Sequence, residues 1–173
     1  MTKEIIFVAG VHGVGKTTFC EELKTKLKIP SYSSSNLIKA FNSELEFPDK
    51  KISEIKTNQD ALLHSIQQNV LESRLLLDGH FVLLNKTGSI QKIPLEVFQN
   101  LNPICIILLI ENPIRIQHRL ENRGKNNLSV DEIQSLQENE ILYAKEVSTL
   151  LNINLHILEN NEQKVKFINM GVI

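Results

Sequence analysis

Ile5-Ile6-Phe7-Val8-Ala9-Gly10-Val11-His12-Gly13-Val14-Gly15-Lys16-Thr17-Thr18 is the stretch that decides the fold. Its first five residues are an unbroken apolar run of strand length. Lys16 to Lys28 follows with Phe19, Leu23 and Leu27 at i, i+4 and i+8, the spacing of an amphipathic helix. Between strand and helix, Gly10 to Thr17 matches the phosphate-loop pattern G-x-x-x-x-G-K-[ST]. Glycines let such a loop turn tightly, so that backbone N–H groups converge on phosphate oxygens, and the helix N-terminus adds partial positive charge. Lys16 would reach the β- and γ-phosphates of ATP, and the Thr17 hydroxyl would ligate Mg²⁺. Gly10, Gly13, Val14, Gly15, Lys16, Thr17 and Thr18 form the expected ATP-binding set. His12 lies inside the loop, either as a further nucleotide contact or as a residue packed on a neighbouring segment.

The rest of the chain repeats this alternation. Strands are expected at 29–32, at Leu75-Leu76-Leu77 ending on Asp78-Gly79, at Ile104 to Ile110 and at Leu155 to Leu158. Helices are expected from Ser34 or Ser35 to about Asn42, from about Asn58 to Ser73 with Leu71 in its apolar stripe, and over Leu95 to Leu101. Three more follow: one from an Asn112 cap with Pro113 at its first turn to Gly124, one over Val130 to Leu151, and one over Glu162 to Asn169. Phe81 to Ile93 reads as irregular, with a turn at Thr87-Gly88. Strands this apolar must be covered on both faces, which predicts a parallel sheet flanked by helices, a doubly wound α/β fold.

A phosphate loop that works on Mg-ATP needs a carboxylate at a nearby strand end. Asp78 and Glu111 both qualify. Glu111 also has the position of a charge beside the helix that begins at Pro113, so Asp78 is preferred. Three of the four arginines, Arg115, Arg119 and Arg123, recur at steps of four on that helix and so share a face. Guanidinium forks suit the charge that gathers on a migrating phosphoryl group. Arg119 and Arg123 are expected to close over it, with Arg115 supporting them or touching the donor base. The polar segment from Gly124 onward has the composition of a mobile lid, placed at about 121–131.

At 173 residues the chain is expected to form a single domain over 1–173. Lys plus Arg is 19 and Asp plus Glu is 20, giving a net charge of −1, which argues against a dedicated DNA or RNA binder. Cys20 and Cys105 are too few for a disulfide framework or a structural zinc site. The apolar run at 104–110 is far short of a membrane span, and Glu4 interrupts any leader-like pattern. A cytoplasmic setting is expected.

The loop, the leucine-rich strand ending in Asp78 and the arginine helix, in that order, resemble the P-loop nucleoside-monophosphate kinases, most of all the archaeal-type adenylate kinases. Asp78-Gly79-His80-Phe81, then Lys86 to Ile90 and Ile93-Pro94, are similar to the family's strand end and its following glycine-then-proline segment. Asn102-Pro103, Glu111, Pro113, Arg119-Leu120, Ile133, Gln137, Ala144 and Ile157 to Asn160 extend the similarity over most of the chain. The resemblance implies a five-stranded parallel sheet, an acceptor-binding insert at about 31–60, a lid, and transfer of the γ-phosphoryl of Mg-ATP to a nucleoside or deoxynucleoside monophosphate. The family holds the acceptor phosphate with arginines in the insert, and residues 31–60 contain none. Acceptor contacts would therefore fall to Lys39, Lys50, Lys51 and Gln59. Two alternatives stay open. One is an ATP-hydrolysing switch or assembly factor acting on a protein or RNA partner, with Glu111 orienting water. The other is a kinase for a non-nucleotide metabolite on the same scaffold.

Overall fold

The computed structural model describes residues 3–44, 55–85, 87–124 and 128–171. In chain order it runs β1 (Glu4–Ala9), α1 (Lys16–Leu27), β2 (Ser31–Ser33), α2 (Ser34–Glu44), α3 (Ile55–Asn69), β3 (Arg74–Gly79) and β4 (Val82–Leu84). It continues through β5 (Ile90–Lys92), α4 (Leu95–Leu101), β6 (Pro103–Leu109), α5 (Pro113–Asn122), α6 (Val130–Leu151), β7 (Asn154–Leu158) and α7 (Asn161–Met170). Five strands form one sheet in the order β2-β3-β1-β6-β7, and every pairing in it is parallel. The expected α/β architecture is what the chain adopts.

Apolar sequence explains the order of the layers. Ile6, Val8, Leu75, Leu76, Leu77, Ile106 and Ile107 are wholly buried, as residues of central strands covered on both faces must be. The register then builds the site. Val8 pairs with Asp78 and Ala9 with Gly79, so β1 and β3 end side by side. Ser33 pairs with Asp78 from the other side, and the Ser34 hydroxyl, at the first turn of α2, donates to the Asp78 carbonyl at 2.7 Å. The carboxylate at the end of β3 is thereby fixed next to the loop that leaves β1.

Several boundaries differ from the sequence reading. Lys28 takes a left-handed conformation (φ 56°) and ends α1 at Leu27, and β2 covers Ser31–Ser33 rather than 29–32. Helix α3 stops at Asn69 rather than Ser73. The Lys3 ammonium donates to the Val70 and Glu72 carbonyls at 2.5 and 3.0 Å, holding that segment against the start of β1, and Leu71 is 91% exposed instead of buried. The stretch read as irregular contains the antiparallel hairpin β4–β5, closed around the Asn85 carboxamide, which accepts from the Thr87 and Ser89 amides at 2.9 Å each. At α5 the reading holds: Asn112 caps the helix by accepting from the Ile114 amide at 2.9 Å, with Pro113 in the first turn. Helix α6 opens with a capping box, Ser129 and Glu132 each binding the other's backbone N–H. No helix among the described residues is long and apolar enough to cross a membrane.

Beneath the site, Phe7, Phe81 and Phe98 form a ring cluster with centroids 4.8 to 5.5 Å apart. Gly79 sits on it so closely that a Cβ would lie 2.8 Å from the Phe7 ring and 3.1 Å from the Ser34 hydroxyl oxygen. Gly79→Ala is expected to lose about 1–3 kcal/mol by forced repacking of that ring. Urea unfolding would read this, and a variant as stable as the parent chain would contradict the packing argument.

Candidate functional site

The loop between β1 and α1 is shaped by glycine where nothing else fits. Gly10 has φ 142°, and a Cβ there would lie 2.6 Å from the Leu109 carbonyl oxygen. Gly15 caps α1 without any side-chain acceptor, and the first turn of α1 holds no acidic residue. Its amides are therefore left for an anion, as helix N-termini allow. Lys16 is 8% exposed, and its ammonium donates to the Gly10 carbonyl at 2.6 Å and the Val11 carbonyl at 3.2 Å. Burial pulls its pKa down to about 8, against the pull of the Asp78 and Glu140 carboxylates. Thr17 and Thr18 are exposed at the start of the helix. Asp78 is half-buried. Burial raises its pKa, while the Lys16 charge opposes the rise. An oxygen-donor pair of Thr17 hydroxyl and Asp78 carboxylate beside a lysine has the hard-ligand chemistry that Mg²⁺ bound to phosphates prefers, so these residues fit the metal.

Glu111, the other candidate carboxylate, is already committed. Its side chain is 6% exposed, and it accepts from Arg119 Nη2 at 3.0 Å and from the Asn112 amide at 3.0 Å, with Arg115 Nη1 at 3.8 Å. Burial raises its pKa, but the Asn112 amide, the Arg119 hydrogen bond and the Lys164 and Arg119 charges outweigh that and hold it below the ordinary value. Gln137 of α6 clamps the Glu111 backbone with two hydrogen bonds of 3.0 Å. Lys164 of α7 completes this group of charges. It is 9% exposed, and burial is the main reason its pKa is lowered.

Of the three arginines only Arg119 is brought to the loop. Its Nη1 donates to the Gly13 and Val14 carbonyls at 3.3 Å each. Steps of four advance about 40° around a helix beyond a full turn, so the three side chains fan out and the middle one meets the loop. Arg115 is mostly exposed, and Arg123 is exposed at the C-cap of α5. Lys39 is exposed on α2, and Gln59 of α3 is buried. Lys50, Lys51 and residues 125–127 of the expected lid lie outside the described residues.

Sequence reasoning missed two residues. Glu140 of α6 is 1% exposed, and His80 follows the end of β3. The two meet at 3.5 Å, and the His80 ring lies 4.2 Å from that of His12. The signal for Glu140 was present: it interrupts the inward stripe Ile133, Leu136, Gln137, Tyr143, Ala144, Val147. Burial, then the Lys16 charge, drives the His80 pKa down to about 3, against a hydrogen bond to the Gly10 backbone, so the ring is neutral near pH 7.

A cavity of about 170 Å³ opens beside the loop. Its polar lining is His12, Ser34, Ser35, Gln59, Asp78 and His80, and the remainder is apolar, Phe7, Leu62, Val97 and Phe98 among it. A second cavity of about 160 Å³ shares His12, His80 and Leu83 and extends to Glu140 and Leu128.

The pattern of the AAA domain family matches residues 9–137, from the end of β1 into α6. The chain belongs to the AAA domain family. This AAA-domain chain is 29% identical over 166 residues to an adenylate kinase of Sulfurisphaera tokodaii, covering 86% of each chain. It is 23% identical over 172 residues to an adenylate kinase of Thermococcus onnurineus, covering 92% of this chain and 88% of that one. Among solved structures it is similar to shikimate kinase from Acinetobacter baumannii in complex with shikimate, at TM-score 0.59 and 14% identity over 98% of this chain and 90% of that one. A sugar kinase from Janibacter sp. HTCC2649 is similar at TM-score 0.55 and 14% identity over 97% and 93%. These structural likenesses concern the fold. The resemblance to P-loop kinases read from the residues is borne out for this AAA-domain chain at the level of family and architecture.

Proposed function

We propose that the chain transfers the γ-phosphoryl of Mg-ATP to a nucleoside or deoxynucleoside monophosphate. The observation that carries this reading is the cavity between α2, α3, α4 and the end of β3, which reaches the phosphate loop through His12 and Asp78. Whole drug-sized ligands fill roughly 300–1,000 Å³, so this smaller space suits one ring system with the rest of the acceptor outside it. The apolar part of its lining, which includes Phe7 and Phe98, favours a flat nucleobase. A polyhydroxylated acceptor such as a sugar would find partners only among the six polar lining residues, and any hydroxyl turned to the apolar lining would go unpaired, at a cost for each. Gln59 supplies one buried carboxamide able to read a base edge. The 23–29% identity to adenylate kinases over most of the chain supports the same class of acceptor.

In this reading Lys16 leaves the Gly10 and Val11 carbonyls for the donor phosphates, which the amides opening α1 also hold. Thr17 and Asp78 would hold Mg²⁺, which supplies charge neutralisation on those phosphates when bound. Arg119, anchored by Glu111 against the loop, offers its guanidinium to the migrating group, with Arg123 and Arg115 closer to solvent. Lys39, together with Lys50 and Lys51, is assigned to the acceptor phosphate. No side chain need remove a proton, because a phosphate oxygen of the acceptor is already ionised at pH 7 and positioning supplies much of the acceleration.

Chromatographic product analysis with Mg-ATP and each common ribo- and deoxynucleoside monophosphate tests this. A diphosphate is expected with at least one acceptor and is expected to vanish in Lys16→Ala. ATP loss with no phosphorylated acceptor would reject the reading.

A further inference from the structure

Glu140 is the most deeply buried charged side chain among the described residues, and the mechanism above leaves it without a task. A carboxylate inside an apolar helix stripe costs several kcal/mol unless hydrogen-bonded. Here both oxygens accept from the Phe81 amide at 3.0 Å, Oε1 also accepts from the Val82 amide at 3.3 Å, and His80 Nδ1 lies 3.5 Å away. All three partners directly follow Asp78-Gly79. His80 in turn lies against the His12 ring of the loop at 4.2 Å, with the Gly10 backbone acting on its protonation, and the Gly10 carbonyl is where the Lys16 ammonium rests. One continuous set of contacts therefore runs from the middle of α6, through the turn after β3, to the phosphate loop. His12 and His80, with Leu83, also form the wall shared by the two cavities.

Resting on the phosphotransfer reading, we propose that Glu140 is a positioning residue: it anchors the turn after β3 and, through His80, sets the loop backbone at Gly10 and the ring of His12. It touches neither donor nor acceptor. A purely structural role, in which Glu140 only satisfies two buried amides, makes a different prediction. Glu140→Gln keeps the side-chain volume and an oxygen for the Phe81 and Val82 amides and for His80 Nδ1, while removing the ionisable oxygen that is the second acceptor of the Phe81 amide.

The test compares the parent chain, Glu140→Gln, His80→Gln, the double variant, and Glu146→Gln as a control on the exposed side of the same helix. Backbone amide NMR of Gly10, Gly13 and Gly15, binding of a fluorescent ATP analogue, and steady-state kinetics are read on each. Glu140→Gln is expected to remain folded, to shift the Gly10 and Gly13 resonances, and to lower kcat about tenfold with KM for ATP changed less than threefold, in line with the steep cost of small misplacements. His80→Gln should shift the same resonances, and the double variant should lose no more kcat than the worse single variant. The control should match the parent chain. Unmoved glycine resonances in a folded Glu140→Gln protein would overturn the proposal, and if that variant does not fold, unmoved resonances in His80→Gln would do so. An absence of transfer by the parent chain counts against the phosphotransfer reading instead, and the NMR and binding measurements still decide the role of Glu140.

Discussion

Arg119→Ala is expected to lower turnover by about 10³-fold, the low end of what a guanidinium at a migrating phosphoryl contributes. The expectation is specific to this arginine. Arg119 alone of the three reaches the loop carbonyls of Gly13 and Val14, and Glu111 fixes its fork at 3.0 Å. A guanidinium held in place before substrate arrives loses little freedom when it is used, which is the condition for a large electrostatic effect. Arg115→Ala removes an exposed side chain 3.8 Å from Glu111 and is expected to change turnover less than fivefold. Arg119→Lys should recover only part of the loss, because an ammonium cannot bond two loop carbonyls and Glu111 with one planar fork. Initial rates with saturating acceptor, measured on all three variants, decide it. Equal losses in Arg115→Ala and Arg119→Ala would mean that Arg119 is not singled out at the phosphoryl group.

The contrast among these arginines marks where the sequence stopped being informative. Steps of four placed them on one side of a helix, but the sequence did not reveal that the loop faces only the middle of that fan. Long apolar runs such as Ile5 to Ala9 and Leu75 to Leu77 were legible because a strand buried on both faces tolerates almost nothing polar. The three-residue strands of the β4–β5 hairpin were not, since a period of two cannot establish itself over so short a length. Leu71 was assigned to the core by helical spacing, and Lys3, nearly seventy residues away, overrides that by holding the Val70 and Glu72 carbonyls. Both candidate magnesium carboxylates are strand-end acids, and the sequence favours Asp78 only because Glu111 stands beside the helix that begins at Pro113. Register adds that β1 against β3 sets Asp78 beside the loop, while Glu111 folds onto Arg119. Glu140 escaped notice for a related reason. One acidic residue within a long helix reads as surface until the amides it serves, contributed by another element, are known.

Removal of the Glu111 carboxylate is the second large effect expected, and it concerns stability. Glu111→Ala leaves Arg119 with only its loop carbonyls, takes away the Glu111 charge facing Lys164 and deprives the Asn112 amide of an acceptor. Breaking a buried pair costs about 3–5 kcal/mol, and because Arg119 is 37% exposed solvent screening brings the cost down to about 2–3 kcal/mol. For a chain of this size that corresponds to a melting point lower by roughly 4–12 °C. The pH dependence identifies the cause. The carboxyl is held below its ordinary value of 4.5 in the folded chain, so unfolding raises its proton affinity. The stability it contributes is therefore fully present above that ordinary value and is lost as pH falls through the lowered one. Glu111→Gln removes the ionisation while keeping the shape. Its stability deficit against the parent chain should be full at pH 7 and shrink as the pH is brought below 4.5. Urea unfolding of both proteins at pH 7 and pH 3.5 measures this, and a deficit of the same size at the two pH values would show that Glu111 acts through packing rather than through its charge on Arg119.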